Sequence, residues 1–178
     1  GSCYDLGTSV ADAGDVNRDG WPDVIVGAPA TSGAAFSLPG FVRVYSGKDG
    51  AILHEFAGEP PLADPPFALT SERFGEVVDG AGDVNGDGVP DLIVGIPLHG
   101  KPAPGTVPGA VHVYSGAYGT LLYELAGIAP GSWLGDAVAG LGDLNGDGLA
   151  DFAAGAPYEI VDGAVSGHVV IWSGVPLR

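Results

Sequence analysis

The sequence GDVNGDGVPDLIVGIP at residues 82–97 decides the fold, because the chain carries it in three versions. The other two are GDVNRDGWPDVIVGAP at residues 14–29 and GDLNGDGLADFAAGAP at residues 142–157. Their downstream sequence repeats as well, as GFVRVYSG, GAVHVYSG and GHVVIWSG. A unit that recurs every several tens of residues predicts a solenoid, a propeller or another array of stacked repeats.

Each unit predicts four short β-strands. In the first unit they lie near residues 9–13, 23–28, 41–46 and 52–56, and we name them strands a to d. Apolar and polar residues alternate with period two in strand c, and the links SGKDGA and SGAYGT are typical of hairpin turns. The proline that ends each copy argues against a helix over strand b.

Four antiparallel strands per unit are typical of a β-propeller blade. The sequence therefore predicts an all-β fold of one domain, residues 1–178, with blades at 4–58, 72–127 and 132–174. We expect the third blade to lack its outer strand, because no counterpart of strand d follows GHVVIWSG. Residues 1–2 read as a cloning scar. A β-sandwich of about eleven strands is the alternative fold.

Composition limits the possible functions. The 178 residues include 22 acidic and 6 basic side chains, and the resulting net charge of -16 disfavours nucleic acid and anionic lipid as partners. No apolar run is long enough for a membrane-inserted helix. The 32 glycines and 15 prolines indicate many tight turns. Cys3 is the only cysteine, so an intrachain disulfide is excluded. Cysteine usage therefore does not decide between an oxidising and a reducing compartment.

A loop of the form D-x-N-x-D-G-x-x-D opens each unit and predicts a metal site. Positions 1, 3, 5 and 9 carry side-chain oxygens, position 6 is a glycine that permits a sharp turn, and position 7 offers its backbone carbonyl. The predicted ligands are Asp15, Asn17, Asp19, Trp21, Asp23, Asp83, Asn85, Asp87, Val89, Asp91, Asp143, Asn145, Asp147, Leu149 and Asp151.

The chemistry of these donors favours Ca²⁺, with Mg²⁺ second because it demands a stricter octahedron. No histidine or cysteine stands at ligand spacing, which argues against zinc and copper. An EF-hand is rejected, because it needs flanking helices and a glutamate at position 12, where Val26, Val94 and Ala154 stand here. An Asx-rich turn without an ion is the alternative, although three aspartates in one small loop repel each other.

The segments YDLGTSVADAGDVNRDGWPDVIVGAP and ERFGEVVDGAGDVNGDGVPDLIVGIP resemble FG-GAP repeats. These repeats form the blades of the N-terminal β-propeller of integrin alpha subunits and occur in many bacterial surface proteins. The resemblance implies a Ca²⁺ ion between strands a and b, held by the residues above. The phenylalanine of the motif stands only at Phe74, with Leu6 and Leu134 elsewhere, and Ile96 replaces the alanine of GAP. The integrin propeller has seven blades, whereas this sequence predicts three.

The resemblance implies an extracellular or cell-surface module that binds a protein or a glycan, as in adhesion. The sequence has no G-x-S-x-G motif and four scattered histidines, so we predict that the chain is not an enzyme. The sequence leaves one catalytic alternative, a pair of carboxylates for glycoside hydrolysis among Asp64, Glu72, Glu76 and Asp79. The alternative is a non-catalytic fragment or accessory domain of a larger secreted hydrolase.

Three blades cannot close a ring, since propellers typically have four to eight. We expect two copies to associate head to tail as a six-bladed homodimer, with a fragment of a longer ring or an open arc as alternatives. Trp21 and Trp172 are expected to pack between blades or at the interface rather than to bind a ligand. A ligand is expected on the face opposite the metal loops, unless the connections there only cover strand ends. Those connections are residues 31–40, 59–73, 98–109, 128–133 and 158–167, with Phe36, Phe67, His99, Lys101, Trp133 and Tyr158.

Overall fold

A computed structural model describes residues 5–30, 39–60, 72–99, 108–162 and 164–175. Over these residues the chain forms strands and turns without a helix, and hence without a helix that could span a membrane. The strands are β1 (Ser9–Gly14), β2 (Asp23–Ala28), β3 (Phe41–Tyr45), β4 (Ile52–Ala57), β5 (Val77–Gly82), β6 (Asp91–Ile96), β7 (Ala110–Tyr114), β8 (Leu121–Ala126), β9 (Ala137–Gly142), β10 (Asp151–Ala156), β11 (Ile160–Val161), β12 (Ala164–Val165) and β13 (His168–Trp172).

The strands form three antiparallel sheets that repeat one topology. Their orders are β1-β2-β3-β4, β5-β6-β7-β8 and β9-β10-β13, so the third sheet has three strands where the first two have four. The predicted all-β blades are confirmed, and each strand of the first sheet lies within one residue of its predicted bounds. The short hairpin of β11 and β12 is an addition, because the sequence analysis treated residues 158–167 as a connection.

A β-bulge ends the first strand of each sheet. The pairing between β1 and β2 shifts between Asp12 and Gly14, so that Gly14 lies opposite Asp23. Gly14, Gly82 and Gly142 have φ values of 71°, 72° and 66°, a left-handed conformation that glycine adopts without strain. The bulge turns the chain out of the sheet, and the D-x-N-x-D loop follows at once.

The hydrophobic core lies between consecutive sheets. Val42, Val44 and Phe56 of the first sheet pack with Leu92 and Val94 of the second in one cluster. A second cluster joins the other face of the second sheet to the third. Its buried members are Ala81, Val84, Ile93, Val111, Val113, Leu134, Phe152, Ala154 and Ala156. Every residue of β6 is buried, because the second sheet is covered on both faces. This stacking of separate sheets replaces the two-sheet sandwich that the sequence left open.

A short turn begins each of the three units, and the second and third of these turns link consecutive blades. We call them the junction turns: Leu6 with Gly7, Phe74 with Gly75, and Leu134 with Gly135. Phe74 is 1% exposed between the first two sheets. A Cβ atom at Gly27 would overlap the carbonyl oxygen of Gly75, because the second junction turn lies directly on β2. The glycine of each GAP segment therefore makes room for the next junction turn.

The two tryptophans expected between blades behave differently. Trp172 stacks on Phe152 with ring centroids 5.6 Å apart and contacts the second core cluster, as expected. Trp21 is 57% exposed, so it does not pack between the described blades, and its expected place at an interface stays a prediction. The reason is its position in the first D-x-N-x-D loop, which projects from the end of the sheet, where no neighbouring blade covers its ring.

Candidate metal centre

The three D-x-N-x-D-G-x-x-D loops lie at one end of the stacked sheets. They connect β1 to β2, β5 to β6 and β9 to β10. Because neighbouring strands are antiparallel, the turns that follow β3 and β7 lie at the same end. The connections that follow β2, β4, β6 and β8 start from the opposite end, which agrees with the predicted separation of the two sets of connections.

The first aspartate of each loop organises its backbone. In the central loop Asp83 Oδ1 accepts hydrogen bonds from the amides of Gly86 and Asp87 at 2.7 and 3.1 Å, and Oδ2 accepts one from Gly88 at 2.8 Å. In the outer loops Asp15 and Asp143 accept equivalent hydrogen bonds from backbone amides four and five positions ahead. A carboxylate offers about four lone-pair positions, so Asp83 retains capacity for a further ligand.

The side chains at positions 3 and 5 bend back onto the loop. Asn85 Oδ1 accepts a hydrogen bond from the amide of Asp87 at 2.9 Å, and Asp87 Oδ1 accepts one from Val89 at 2.8 Å. The outer loops repeat both bonds through Asn17, Asp19, Asn145 and Asp147. These Asx-type bonds hold three consecutive oxygen-bearing positions in one compact turn.

The last aspartate of each loop is buried at the start of the second strand. Asp23, Asp91 and Asp151 are 1%, 0% and 3% exposed. Each Oδ2 accepts a hydrogen bond from the amide at loop position 2, at 2.9 to 3.0 Å. In the first two blades Oδ1 also accepts one from Gly47 or Gly116, at 3.1 Å, which ties the loop to the turn after the third strand.

Burial makes the negative charge of Asp91 costly. The pKa of its carboxyl is raised to about 7, mainly by desolvation and also by the charges of Asp87 and Asp83, while the amides of Gly116 and Val84 act in the opposite direction. In the exposed third loop, hydrogen bonds from the amide of Leu149 and from Asn145 lower the pKa of Asp147. Ionisation of Asp91 is therefore unfavourable beside the other carboxylates of the central loop.

Two of the loops contain a buried carboxylate oxygen that has no hydrogen-bond partner. Among the described residues, Asp87 Oδ2 and Asp151 Oδ1 are buried oxygens with no hydrogen-bond partner. An unpaired buried carboxylate oxygen is unfavourable unless a donor or a cation meets it. In the same part of the chain no three acidic, histidine or cysteine side chains group as a preformed metal site, because backbone amides engage the loop carboxylates.

Comparison with known proteins identifies the repeat. A family model described as FG-GAP repeat matches residues 7–50, 74–114 and 134–172. The chain belongs to the FG-GAP repeat family. Each matched segment starts within a junction turn and includes one D-x-N-x-D loop, so the family unit coincides with the structural repeat.

Integrin alpha subunits are similar to this FG-GAP chain. It is 35% identical to chicken (Gallus gallus) integrin alpha-V over 174 residues, which cover 95% of the chain and 15% of that integrin. It is 33% identical to mouse (Mus musculus) integrin alpha-8 over 177 residues, or 96% of the chain and 15% of that integrin. Identity to chicken integrin alpha-6 is 32% over 147 residues, covering 80% of the chain and 12% of the relative. The chain thus spans only a small part of the length of these integrins.

Arg18 is a loop residue that the sequence analysis missed. It occupies position 4 of the first FG-GAP loop, where the other two loops have Gly86 and Gly146, and its φ of 59° is left-handed. Its Nη2 donates a hydrogen bond to the carbonyl oxygen of Asp87 at 2.7 Å, so the first loop contacts the second. The sequence signal that could have identified Arg18 is an arginine at a loop position where the other two copies have glycine.

Three of the six side chains expected near a ligand, His99, Trp133 and Tyr158, are among the described residues on the opposite face of the FG-GAP blades. Phe36, Phe67, Lys101 and most of residues 31–40, 59–73 and 98–109 lie outside the described residues. Trp133 packs edge-on against Tyr158, with ring centroids 4.7 Å apart, and Tyr158 is 50% exposed. This aromatic pair joins two of the predicted connections on the third blade.

His99 lies on the same face and is paired with a carboxylate. Its Nδ1–H donates to Glu72 Oε2 at 2.8 Å, and the other oxygen of Glu72 accepts the amide of Glu59 at 2.6 Å. The hydrogen bond from Glu72 raises the pKa of His99, burial opposes it, and the charges of Glu72, Glu59 and Glu124 add to the increase. Burial lowers the pKa of the neighbouring His112.

The His99–Glu72 pair predicts a pH-dependent stability. A raised pKa in the folded chain means that this contribution is complete below the unfolded pKa of 6.5 and is lost as pH rises through the folded pKa. We expect His99→Gln to destabilise the chain more at pH 5.5 than at pH 8.5, by up to roughly 1.5 kcal/mol, the size of a weak charge-assisted hydrogen bond. Urea unfolding at both pH values measures the difference.

The exposed His168 provides the control for this experiment. Its substitution His168→Gln removes a histidine without removing a described pairing with a carboxylate. Both substitutions are compared in a His112→Gln background, because the charge of His99 contributes to the lowered pKa of His112, which favours the folded state at higher pH. Equal destabilisation by His99→Gln at the two pH values contradicts the prediction.

The acidic residues considered for glycoside chemistry have structural partners. Asp64 lies outside the described residues. Glu72 is bonded to His99, Glu76 pairs with Arg73 at 3.4 Å, and Asp79 Oδ2 accepts the amide of Gly140 at 3.1 Å. Desolvation raises the pKa of Glu76. Of these bonds, that of Asp79 joins the second FG-GAP blade to the third, whereas Glu76 pairs only with Arg73 three residues away and its Oε2 is buried without a hydrogen-bond partner.

Proposed function

We propose that this chain is a calcium-binding β-propeller module that acts as an extracellular scaffold for binding a protein or glycan. The observation that carries the calcium proposal is the repeated loop, which brings several carboxylates together. Its last aspartate is buried in all three copies. In the second and third copies a buried oxygen, of Asp87 and of Asp151, has no hydrogen-bond partner. A divalent cation bound in each loop would offset the repulsion between its carboxylates, and in the second and third loops it would also contact the unpartnered oxygen. Oxygen donors in a flexible loop favour Ca²⁺ over Mg²⁺.

The proposed ligands of the central ion are the side chains of Asp83, Asn85, Asp87 and Asp91 and the carbonyl of Val89. The outer ions have the equivalent ligands: Asp15, Asn17, Asp19, Trp21 and Asp23, and Asp143, Asn145, Asp147, Leu149 and Asp151. The bound ion supplies positive charge and no reaction chemistry. The loop residues themselves connect the first two strands of a blade. In the second blade Asp91 also joins the loop to the turn at Gly116. We expect dissociation constants on the order of 10⁻⁴–10⁻³ M, as in extracellular calcium modules.

Calorimetric titration of the chelator-treated chain with CaCl₂ tests this proposal directly. We expect three Ca²⁺ ions per chain and weaker binding of Mg²⁺. Asp83→Asn is expected to abolish the central site and leave two. Asp162→Asn makes the same charge change at an exposed residue outside the loops and keeps three. Absence of binding, or three ions bound by Asp83→Asn, contradicts the proposal.

The scaffold role rests on the division of the blade into two ends. Calcium stiffens the end that carries the loops, and the opposite end presents the connections between strands b and c and between blades. Loops on a rigid scaffold are the usual place for binding residues. The similarity to integrin alpha subunits supports an extracellular or cell-surface location and an adhesive role, and the exposed Tyr158 beside Trp133 supplies an aromatic surface for a protein or glycan.

A further inference from the structure

Neighbouring D-x-N-x-D loops contact each other where the blades meet. The bulge glycine before each of the first two loops lies against the residue at position 8 of the following loop. A Cβ atom at Gly14 would overlap the ring of Pro90, and one at Gly82 would lie 2.7 Å from the Cβ atom of Ala150. The first loop therefore packs on the second in the same way as the second packs on the third.

A backbone hydrogen bond links the second and third loops. The amide of Ala150 donates to the carbonyl oxygen of Asp83 at 2.9 Å, so the third loop holds the first ligand position of the central loop. Pro90 stands at the equivalent position of the central loop, and proline has no N–H to donate to the carbonyl of Asp15. The contact between the first and second loops therefore cannot include this backbone bond.

Arg18 supplies a hydrogen bond at that contact. It stands at position 4 of the first loop, and the equivalent Gly86 shows that position 4 faces the following loop. A Cβ atom at Gly86 would lie 3.1 Å from the side chain of Leu149 in the third loop. From the equivalent place, Arg18 Nη2 donates to the carbonyl oxygen of Asp87 at 2.7 Å. A side-chain bond thus replaces the backbone bond that Pro90 cannot make.

The acceptor Asp87 is itself a proposed ligand of the central ion. Its amide donates to Asp83 and Asn85, and its Oδ1 accepts the amide of Val89. Its other carboxylate oxygen, Oδ2, is buried without a hydrogen-bond partner. The bond from Arg18 therefore fixes the main chain of the residue that has a free oxygen for a cation.

The donor Arg18 lies between two proposed ligands of the first ion, Asn17 and Asp19. Its φ of 59° is left-handed, a conformation that is unfavourable for a residue other than glycine. Anchoring the guanidinium on the second loop offsets this cost and restrains the backbone between the two ligands. One hydrogen bond thus connects the ligand sets of two neighbouring loops.

We infer that Arg18 couples calcium binding at the first and central loops, so that occupancy of the central loop strengthens binding in the first. The inference rests on the calcium function proposed above. Asp87, once held by the central ion, is a fixed acceptor for Arg18, and the anchored Arg18 keeps Asn17 and Asp19 in position. Coupling between two binding sites is reciprocal, so the first ion strengthens central binding by the same factor.

The positive charge of Arg18 acts in the opposite direction, because it repels a nearby cation. Arg18 is exposed, so solvent screens this repulsion, and the acceptor oxygen belongs to an uncharged carbonyl. The hydrogen bond therefore outweighs the repulsion. We expect a coupling factor of roughly two to five in dissociation constant, the range of an exposed charged contact.

Calcium titrations of wild type, Arg18→Gly, Asp83→Asn and the double variant test the coupling. Arg18→Gly gives the first loop the residue of the other two, so it removes the bond without straining the left-handed backbone. The fluorescence of Trp21 reports the first site, because its carbonyl is a proposed ligand and its ring is 57% exposed. Trp21→Phe identifies the part of the signal that comes from this loop.

Asp83→Asn removes the central site, and its effect on the first site is the measured quantity. We expect it to raise the first-site dissociation constant by a factor that is roughly two to five times larger with Arg18 than in Arg18→Gly. Direct effects of the central charges occur in both backgrounds and cancel in this comparison. Lys48→Gln removes an exposed positive charge from the turn after β3, at the same end of the blades, and is expected to preserve the wild-type response.

The outcomes distinguish the coupling from the calcium proposal on which it rests. An equal response to Asp83→Asn with and without Arg18 overturns the coupling and leaves the calcium sites standing. Tighter first-site binding in Arg18→Gly than in wild type also overturns it, because repulsion then outweighs the bond. If Lys48→Gln changes the response as much as Arg18→Gly does, net charge is the cause and the bond is not. A wild-type chain that binds no calcium overturns both proposals.

Discussion

Removing calcium is expected to lower the melting temperature of this chain substantially, and adding it back is expected to restore the original value. A site that binds only the folded state contributes about 2.7 kcal/mol when the free ion is at a hundred times its Kd. For a chain of this size 1 kcal/mol corresponds to roughly 2–4 °C, so each saturated site raises the melting temperature by about 5–10 °C. Circular dichroism melts with excess chelator, with CaCl₂ and with MgCl₂ measure the effect.

The central loop is expected to dominate this calcium effect. Its last aspartate is 0% exposed and has a pKa raised by burial and by two neighbouring carboxylates, whereas the third loop is exposed to solvent. Asp83→Asn is therefore expected to lose more of the calcium-dependent shift than Asp143→Asn, its counterpart in the third loop. Asp162→Asn is expected to keep the full shift. A melting temperature that is the same with calcium and with chelator contradicts the proposed role of the loops.

Replacing Phe74 with alanine is expected to destabilise the chain by about 3–5 kcal/mol, the usual cost of deleting a buried aromatic ring. Phe74 is 1% exposed and belongs to the core cluster between the first two sheets. Its ring meets those of Tyr114 and His112 edge-on, at centroid distances of 6.4 and 6.2 Å. The substitution leaves a cavity at the joint between two blades, where several strands meet and cannot easily collapse.

Urea unfolding measures this loss, and two variants provide comparisons. Leu134→Ala removes the equivalent residue of the next junction, which is 4% exposed, and is expected to cost about 2–5 kcal/mol. Ile128→Ala changes a residue that is 97% exposed and is expected to stay within about 0.5 kcal/mol of wild type. If Phe74→Ala costs no more than Ile128→Ala, the junction turns do not hold the blades together.

Much of the fold could be predicted from local sequence. The segment DVIVGAP predicts a strand because its β-branched residues lie between a loop aspartate and a proline, and β2 has the predicted bounds, Asp23–Ala28. The D-x-N-x-D loops also depend on nearby residues, since Asp83 bonds to amides only three to five positions away. The candidate ligands could therefore be named before the structure was known.

Features that depend on distant residues could not be predicted in this way. Arg18 bonds to Asp87, 69 positions along the chain, and His99 bonds to Glu72, 27 positions back. The hydrophobicity of Trp21 suggested burial between blades or at an interface, whereas its loop extends beyond the sheets and leaves the ring 57% exposed in the single chain. The β11–β12 hairpin was missed because two-residue strands leave too short a pattern to recognise.

The sequence by itself determined the strands, their order within a blade and the three oxygen-rich loops, because strand periodicity, turn residues and Asx hydrogen bonds act over a few residues. Only the tertiary structure decided which faces are covered. Val42 and Val169 occupy the same position of the repeat, yet one is 0% and the other 64% exposed. Burial depends on the blade that packs against a residue, and the residues of that blade lie far away in the sequence.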